Sequence, residues 1–161
     1  MGMDTMLRQQ LAEFLDWSSA HVGFDAAVKG MPPRLRGDVP HGFEHSAWQL
    51  VEHIRIAQHD ILDFCVNARY KGKKWPDDYW PALPLPKNAA AWTKSIASFQ
   101  RDRRAMQRLA TNPRIDLLAK IPHGSGQTYL REILLVADHT AHHVGQLIDV
   151  RRALGNWKPQ R

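Results

Sequence analysis

Apolar residues recur at intervals of three and four in four separate stretches of the chain, the spacing of helices with one buried face. These inward positions are Leu7, Leu11, Phe14, Ser18 and Val22; Ala47, Leu50, Val51, Ile54, Gln58, Ile61, Leu62 and Cys65; Trp92, Ile96, Phe99, Arg103 and Met106; and Val136, Thr140, His143, Leu147, Val150 and Leu154. No stretch alternates convincingly as a half-buried strand would. The pattern therefore predicts an all-α protein with four amphipathic helices.

Residues that favour helix ends lie at the edges of these stretches. The candidate N-caps are Asp4 or Thr5 for the first helix, Ser46 for the second and Thr128 for the fourth, and the third helix is expected to begin at about Asn88. The first helix is expected to end near Lys29 and Gly30, the third before Asn112 and Pro113, and the fourth at Gly155. Arg103 interrupts an apolar line, and we expect its side chain to reach solvent rather than an anionic ligand.

Two proline-rich connections separate the predicted helices. Residues 31–43 contain three prolines and two glycines, which favours a long ordered connection. Residues 71–86 contain four prolines together with Trp75, Tyr79 and Trp80, so they are expected to fold back over the helices. This segment would be a lid on the core or an aromatic wall beside a pocket. We predict a single domain over residues 1–161, a four-helix bundle with long crossover connections.

Length and composition limit the class of protein. A chain of 161 residues can bury about two-thirds of its unfolded surface without disulfides. The lone Cys65 lies on an apolar helix face and is expected to be a buried thiol in a reducing compartment. No apolar run approaches the roughly 18 residues of a membrane span, and the first residues lack the apolar core of a signal peptide. These features predict a cytoplasmic protein without a membrane partner.

The chain carries a net charge of +6 and has a pI of about 9.8. Such a charge could favour nucleic acid or an anionic ligand, but the basic residues are scattered among acidic ones. The densest cluster, residues 101–108, is typical of a solvated helix face. No helix-turn-helix or zinc finger is recognisable. Specific nucleic-acid binding is therefore not expected.

The spacing of several histidines indicates a possible metal site. His139 and His143 are four residues apart on one helical face, the spacing at which two imidazoles can share a metal ion, whereas His142 lies about 100° round. A core histidine bonded to a carbonyl or carboxylate is the alternative. His53 stands at the edge of its own apolar stripe, so two packed helices could bring it to the others. His21 lies at the edge of the first stripe and could belong to the rim of a site.

A longer motif resembles a known family. His139-x-x-x-His143-x-Gly-Gln-Leu, followed by an arginine and Leu-Gly, and Trp48-Gln-Leu-Val-Glu-His53 are similar to the DinB-like proteins. That family shares its fold with the bacillithiol transferases and the mycothiol-dependent maleylpyruvate isomerase. The resemblance implies a divalent metal, zinc or nickel, held by His53, His139 and His143. Three imidazoles leave coordination positions open, as in catalytic sites.

Nearby residues could complete such a site. A carboxylate from Glu52, Asp60 or Asp138 would be a conceivable fourth ligand and would weaken a catalytic interpretation. Gly145 is expected to admit a neighbouring helix or loop, because glycine costs about 1 kcal/mol inside a helix. Gln146 either supports a ligand or is simply solvated. The candidate pocket residues are Trp75, Tyr79, Trp80, His21 and Gln146.

The resemblance implies several functions. The leading one is a metal-dependent transferase that joins a low-molecular-weight thiol to an electrophile, with hydrolase-like activity as another outcome. The alternatives are a stress-induced protein that binds nucleic acid, and a metal-binding or ligand-binding module without turnover. Among protein partners, a homodimer is considered.

Overall fold

The computed structural model describes residues 2–158, which form helices joined by irregular segments. The helices are α1 (Met3–Phe14), α2 (Phe24–Val28), a short 3-10 helix (Pro33–Leu35), α3 (Ala47–Val66), α4 (Ala89–Thr111) and α5 (Tyr129–Ala153). Within the described residues, extended pairing is confined to one bridge between Lys120 and Thr128. The prediction of an all-α protein is confirmed.

The ends of the three long helices follow from local chemistry. Ser46 caps α3 through a capping box, in which its Oγ accepts from the Gln49 backbone N–H at 3.1 Å and its own N–H donates to Gln49 Oε1 at 3.1 Å. Thr128 caps α5 as predicted, and Asn88, where the third helix was expected to begin, caps α4 through its side chain. Gly155, with a φ of +67°, ends α5 in a conformation that favours glycine.

The predicted first helix is wrong in extent. It is divided into α1 and α2 by an irregular segment at residues 15–23, and α1 is capped by Gly2 rather than by Asp4 or Thr5. Ser18 and Ser19 lie in this segment, and serine hydroxyls compete with helical hydrogen bonds. Leu7 and Phe14, assigned to the buried stripe, are 47 % and 38 % exposed. The apolar spacing typical of a helix therefore continues through residues 15–23, although the backbone there is not helical.

Arg103 on α4 binds the irregular segment and so holds it against that helix. Its guanidinium is buried and donates to Asp16 in the irregular segment at 2.6 Å and to Asp25 in α2 at 2.7 Å. The expectation that Arg103 reaches solvent is therefore wrong. Two carboxylates compensate the charge, which makes its burial tolerable.

Helix α3 occupies the middle of the structure. It packs against α5 on one side and α4 on the other, while α1 packs against α4. The core between them includes Phe24 and Phe99, whose ring centroids are 3.9 Å apart. Cys65 is buried as predicted, and burial raises the pKa of its thiol to about 12. No helix within residues 2–158 is long and apolar enough to cross a bilayer.

The connection between α3 and α4 folds back over the helices as predicted. Ser46 donates through its hydroxyl to the Pro84 carbonyl, and Gln49 Nε2 donates to the Pro81 carbonyl at 3.3 Å. Trp80 packs against the core beneath it. The start of α3 thus anchors the aromatic connection directly above the middle of that helix.

Candidate metal centre

Three histidines meet between α3 and α5. Helix α3 supplies His53, and α5 supplies His139 and His143 from successive turns. The His53 Nε2 atom lies 3.0 Å from Nε2 of His139 and 3.1 Å from Nε2 of His143. One nitrogen of each ring lies within 4.8 Å of the other two, so the three histidines could hold a metal ion. The sequence placed His53 at the edge of its stripe, yet it is fully buried.

The hydrogen bonds of the Nδ1 atoms determine the tautomers of His53 and His143. His53 Nδ1 lies 3.0 Å from the Tyr79 carbonyl oxygen, which can only accept, so Nδ1 carries the proton and Nε2 a lone pair. His143 Nδ1 lies 2.6 Å from Oε1 of Gln146, which gives the same tautomer. Two nitrogen lone pairs therefore face each other across 3.1 Å. Such a contact is repulsive unless a proton or a metal ion lies between them.

Burial keeps these imidazoles neutral. Desolvation, and then neighbouring histidines, lower the pKa of His53 to about 4 and that of His139 to about 3. Desolvation also lowers the pKa of His143 from its usual value. Neutral imidazole is the form that binds a metal, so protons compete poorly for this site near neutral pH.

The donor set fits a divalent ion. Nitrogen ligands at about 2.0 Å from a tetrahedral metal are about 3.3 Å apart, close to the observed separations. Among the described residues, no carboxylate joins the cluster. Glu52 pairs with Arg55, Asp60 accepts from two tyrosines, and Asp138 is exposed. Three protein ligands leave room for an exogenous ligand.

Trp80 covers one face of the centre. Its ring is stacked on His53 with centroids 3.7 Å apart and planes inclined by 3°, and His45 stacks on Trp80 at 3.9 Å. Trp80 was expected to form a pocket wall with Trp75 and Tyr79. It does not line the cavity beside the histidines. Its ring instead stacks flat against the ring of His53.

A cavity of about 400 Å³ opens beside the histidines. His53 and His139 form part of its lining, and Trp75 and Tyr79 from the aromatic connection form part of its wall. Its other lining residues include Asp60, Phe64, Tyr70, Arg131 and Glu132. Asp60 was expected only as a possible metal ligand, and Tyr70 and Glu132 were not predicted, although Glu132 lies on the same face of α5 as His139, seven residues before it.

Other predicted site residues lie elsewhere. His21 is exposed and lines a separate small cavity near Arg103, away from the three histidines. Gly145 is exposed, and a Cβ added there would meet nothing within 4 Å, so the expected close approach of a neighbour is wrong. Gln146 projects outward but contacts His143, which combines both of its proposed roles.

A scan against protein-family models matched residues 17–147 to the model of the DinB superfamily. The chain belongs to the DinB superfamily. All three clustered histidines of this DinB-superfamily protein lie within the matched range, whereas all of α1 precedes it. A search of curated proteins and a search of solved structures each found no match.

Proposed function

We propose that this DinB-superfamily protein binds one divalent metal ion, zinc or nickel, through His53, His139 and His143. The observation that carries the proposal is the convergence of three Nε2 atoms in one small volume, two of them with lone pairs fixed by hydrogen bonds on the opposite nitrogen. A cation removes the repulsion between these lone pairs. Imidazole suits both zinc and nickel.

We further propose that the bound ion serves the transfer of a low-molecular-weight thiol to an electrophile. When bound, the ion would act as a Lewis acid that lowers the pKa of a coordinated thiol. The sulfur forms the new bond to the electrophilic carbon, the leaving group departs with its bonding pair, and the thiol proton passes to solvent. The adjoining cavity supports this proposal, because it has space for a small molecule directly beside His53 and His139.

The residues of the chain would position the reactants. The Tyr79 carbonyl and Gln146 hold His53 and His143 with their Nε2 atoms inward, and Trp80 prevents the His53 ring from rotating. The aromatic wall excludes part of the solvent from the cavity, which strengthens electrostatic interactions inside it.

Two measurements test this proposal. Elemental analysis should give one zinc or nickel per chain, and His53→Ala, His139→Ala and His143→Ala should each abolish stoichiometric binding. His142→Ala is the matched control, because His142 is exposed on the same helix. The loaded protein should accelerate conjugation across a panel of thiols and electrophiles, and the metal-free protein should not. Full metal occupancy without turnover on any panel member would leave a binding role as the better account.

A further inference from the structure

The cavity beside the three histidines contains two buried carboxylates. Asp60 on α3 and Glu132 on α5 are 8 % and 3 % exposed, and both line the cavity. Buried carboxylates are costly unless their charge is compensated. The partners that these two groups have, and those that they lack, therefore indicate what the cavity can hold.

Asp60 is only half satisfied. Its Oδ2 accepts from the Tyr79 hydroxyl at 2.6 Å and from the Tyr70 hydroxyl at 3.1 Å. Burial, and then the neighbouring Asp60, raise the pKa of Tyr70 to about 12, so this phenol remains a donor. Within residues 2–158, no group donates to Oδ1. One carboxylate oxygen is thus left for a donor that enters the cavity.

Glu132 adds negative charge to the same wall. Among the described residues, its side chain pairs with Arg131 through Oε1, and Oε2 has no partner. The Arg131 side chain is 57 % exposed at the mouth of the cavity, whereas that of Glu132 is 4 % exposed. Two carboxylates and one solvent-facing guanidinium leave the interior with a net negative charge.

Aromatic rings line the same cavity as these carboxylates. Trp75 and Tyr79 are in contact with ring centroids 5.4 Å apart, and Phe64 and Tyr70 with centroids 5.2 Å apart. All four rings line the cavity. Aromatic faces attract cations, and the combination of aromatic walls with a buried carboxylate is the usual means of recognising an ammonium group.

We propose that this cavity recognises a ligand that carries a cationic amine, bound by Asp60 and Glu132 within the aromatic walls. The proposal rests on the thiol transfer proposed above and deepens it, since it names a chemical feature of one reactant. The simplest such reactant is an aminothiol with its sulfur toward the histidines and its ammonium toward Asp60. The thiolate and the two carboxylates would offset repulsion between the ammonium and the metal ion.

Thiols of similar size but different charge test this assignment. Cysteamine carries an ammonium, 2-mercaptoethanol is neutral, and mercaptoacetate carries a carboxylate. Their affinities can be measured from the visible spectrum of the cobalt(II)-loaded protein, which changes when sulfur coordinates. We expect cysteamine to bind at least about tenfold more tightly than 2-mercaptoethanol, and mercaptoacetate to bind most weakly.

Variants identify the groups responsible. Asp60→Asn should remove the preference for cysteamine and leave the affinity for 2-mercaptoethanol within about threefold. Asp138→Asn, an exposed change on α5, is the matched control and should keep the preference. Glu132→Gln provides a second variant if Asp60→Asn disturbs folding, which circular dichroism would detect. A preference for cysteamine that survives both changes would overturn the proposal.

A metal-free arm separates this proposal from the proposed function. Calorimetric titration of the metal-free protein with phenethylammonium should show Asp60-dependent binding, and 3-phenylpropionate should bind at least about tenfold more weakly. If the metal-free protein binds phenethylammonium through Asp60 but the three thiols bind with similar affinity, the amine belongs to the electrophile rather than to the thiol. The amine proposal is overturned if cysteamine is not preferred over 2-mercaptoethanol and phenethylammonium is not preferred over 3-phenylpropionate. Failure of every thiol to alter the cobalt spectrum would instead overturn the thiol transferase, whatever the amine titration shows.

Discussion

Nδ1 of His143 donates to Oε1 of Gln146, three residues further along α5, across 2.6 Å. An exposed amide thereby fixes both the tautomer and the orientation of an imidazole in the candidate metal centre. Because the two residues lie on one helix, this contact requires no other element of the fold.

Gln146→Ala should weaken metal binding without abolishing it. Loss of the acceptor frees the His143 ring to rotate and to change tautomer, and such outer partners are worth about 10-fold to 100-fold in metal affinity. Competition with a chromophoric chelator measures the change. Asp138→Ala, also exposed on α5, should leave the affinity unaltered. Equal affinities for Gln146→Ala and the parent protein would show that Gln146 does not orient the ligand.

Trp80→Ala should destabilise the protein and loosen the centre. Trp80 packs on the core and stacks on His53, and its partial burial suggests a loss of about 2 kcal/mol in the free energy of unfolding. Denaturant unfolding of the metal-free protein measures this loss. Trp80→Phe should retain most of the stability. Trp75→Ala is the control, because Trp75 is 67 % exposed and should affect the cavity more than stability.

The metal-free protein should lose stability as pH falls below about 6.5, the pKa of an imidazole in the unfolded chain. Burial lowers the pKa of His53 to about 4 and that of His139 to about 3. At pH values between about 6.5 and these lowered pKa values, the unfolded chain binds protons that the folded chain excludes, so the free energy of unfolding decreases as pH falls. Above about pH 7 this contribution should be constant.

Denaturant unfolding from pH 4.5 to 7.5 measures that dependence. His139→Gln removes one suppressed titration and should flatten the pH profile. His142→Ala, which removes an exposed histidine beside the cluster, should keep the parent slope. An unchanged slope in His139→Gln would contradict the assignment of this pH dependence to the buried imidazoles.

Cys65 should be unreactive while the protein is folded. The thiol is buried, and burial followed by the nearby Glu132 raises its pKa to about 12, so little thiolate exists at neutral pH. A thiol-reactive dye at pH 8 should modify it at least about 100-fold more slowly than in the denatured chain. Rapid labelling in the native state would show that α3 opens locally near its C-terminal end.

The sequence predicted well those features that depend on local chemistry. Ser46 and Thr128 cap helices because each has a side-chain acceptor before a periodic apolar stripe. The spacing of His139 and His143 placed both on one helix face, and the resemblance paired them with His53. The structure brings these three together as that pairing implied.

Features that depend on distant parts of the chain were not accessible in this way. The break between α1 and α2 is stabilised by Arg103 from α4, which no local pattern in the first thirty residues reports. Trp80 stacks on His53 only because the connection after α3 turns back across the helix. The acidic wall of the cavity likewise combines Asp60 and Glu132, from two helices that are remote in sequence.

The distance along the chain between the clustered histidines has a consequence for biogenesis. His53 precedes His139 by 86 residues and His143 by 90, so it leaves the ribosome well before either of them. Until α5 emerges, His53 offers a single imidazole, which holds zinc or nickel weakly. If the three histidines hold a metal ion as proposed, loading would therefore be a late event in synthesis. It would follow the packing of α5 against α3 rather than guide the folding of the nascent polypeptide.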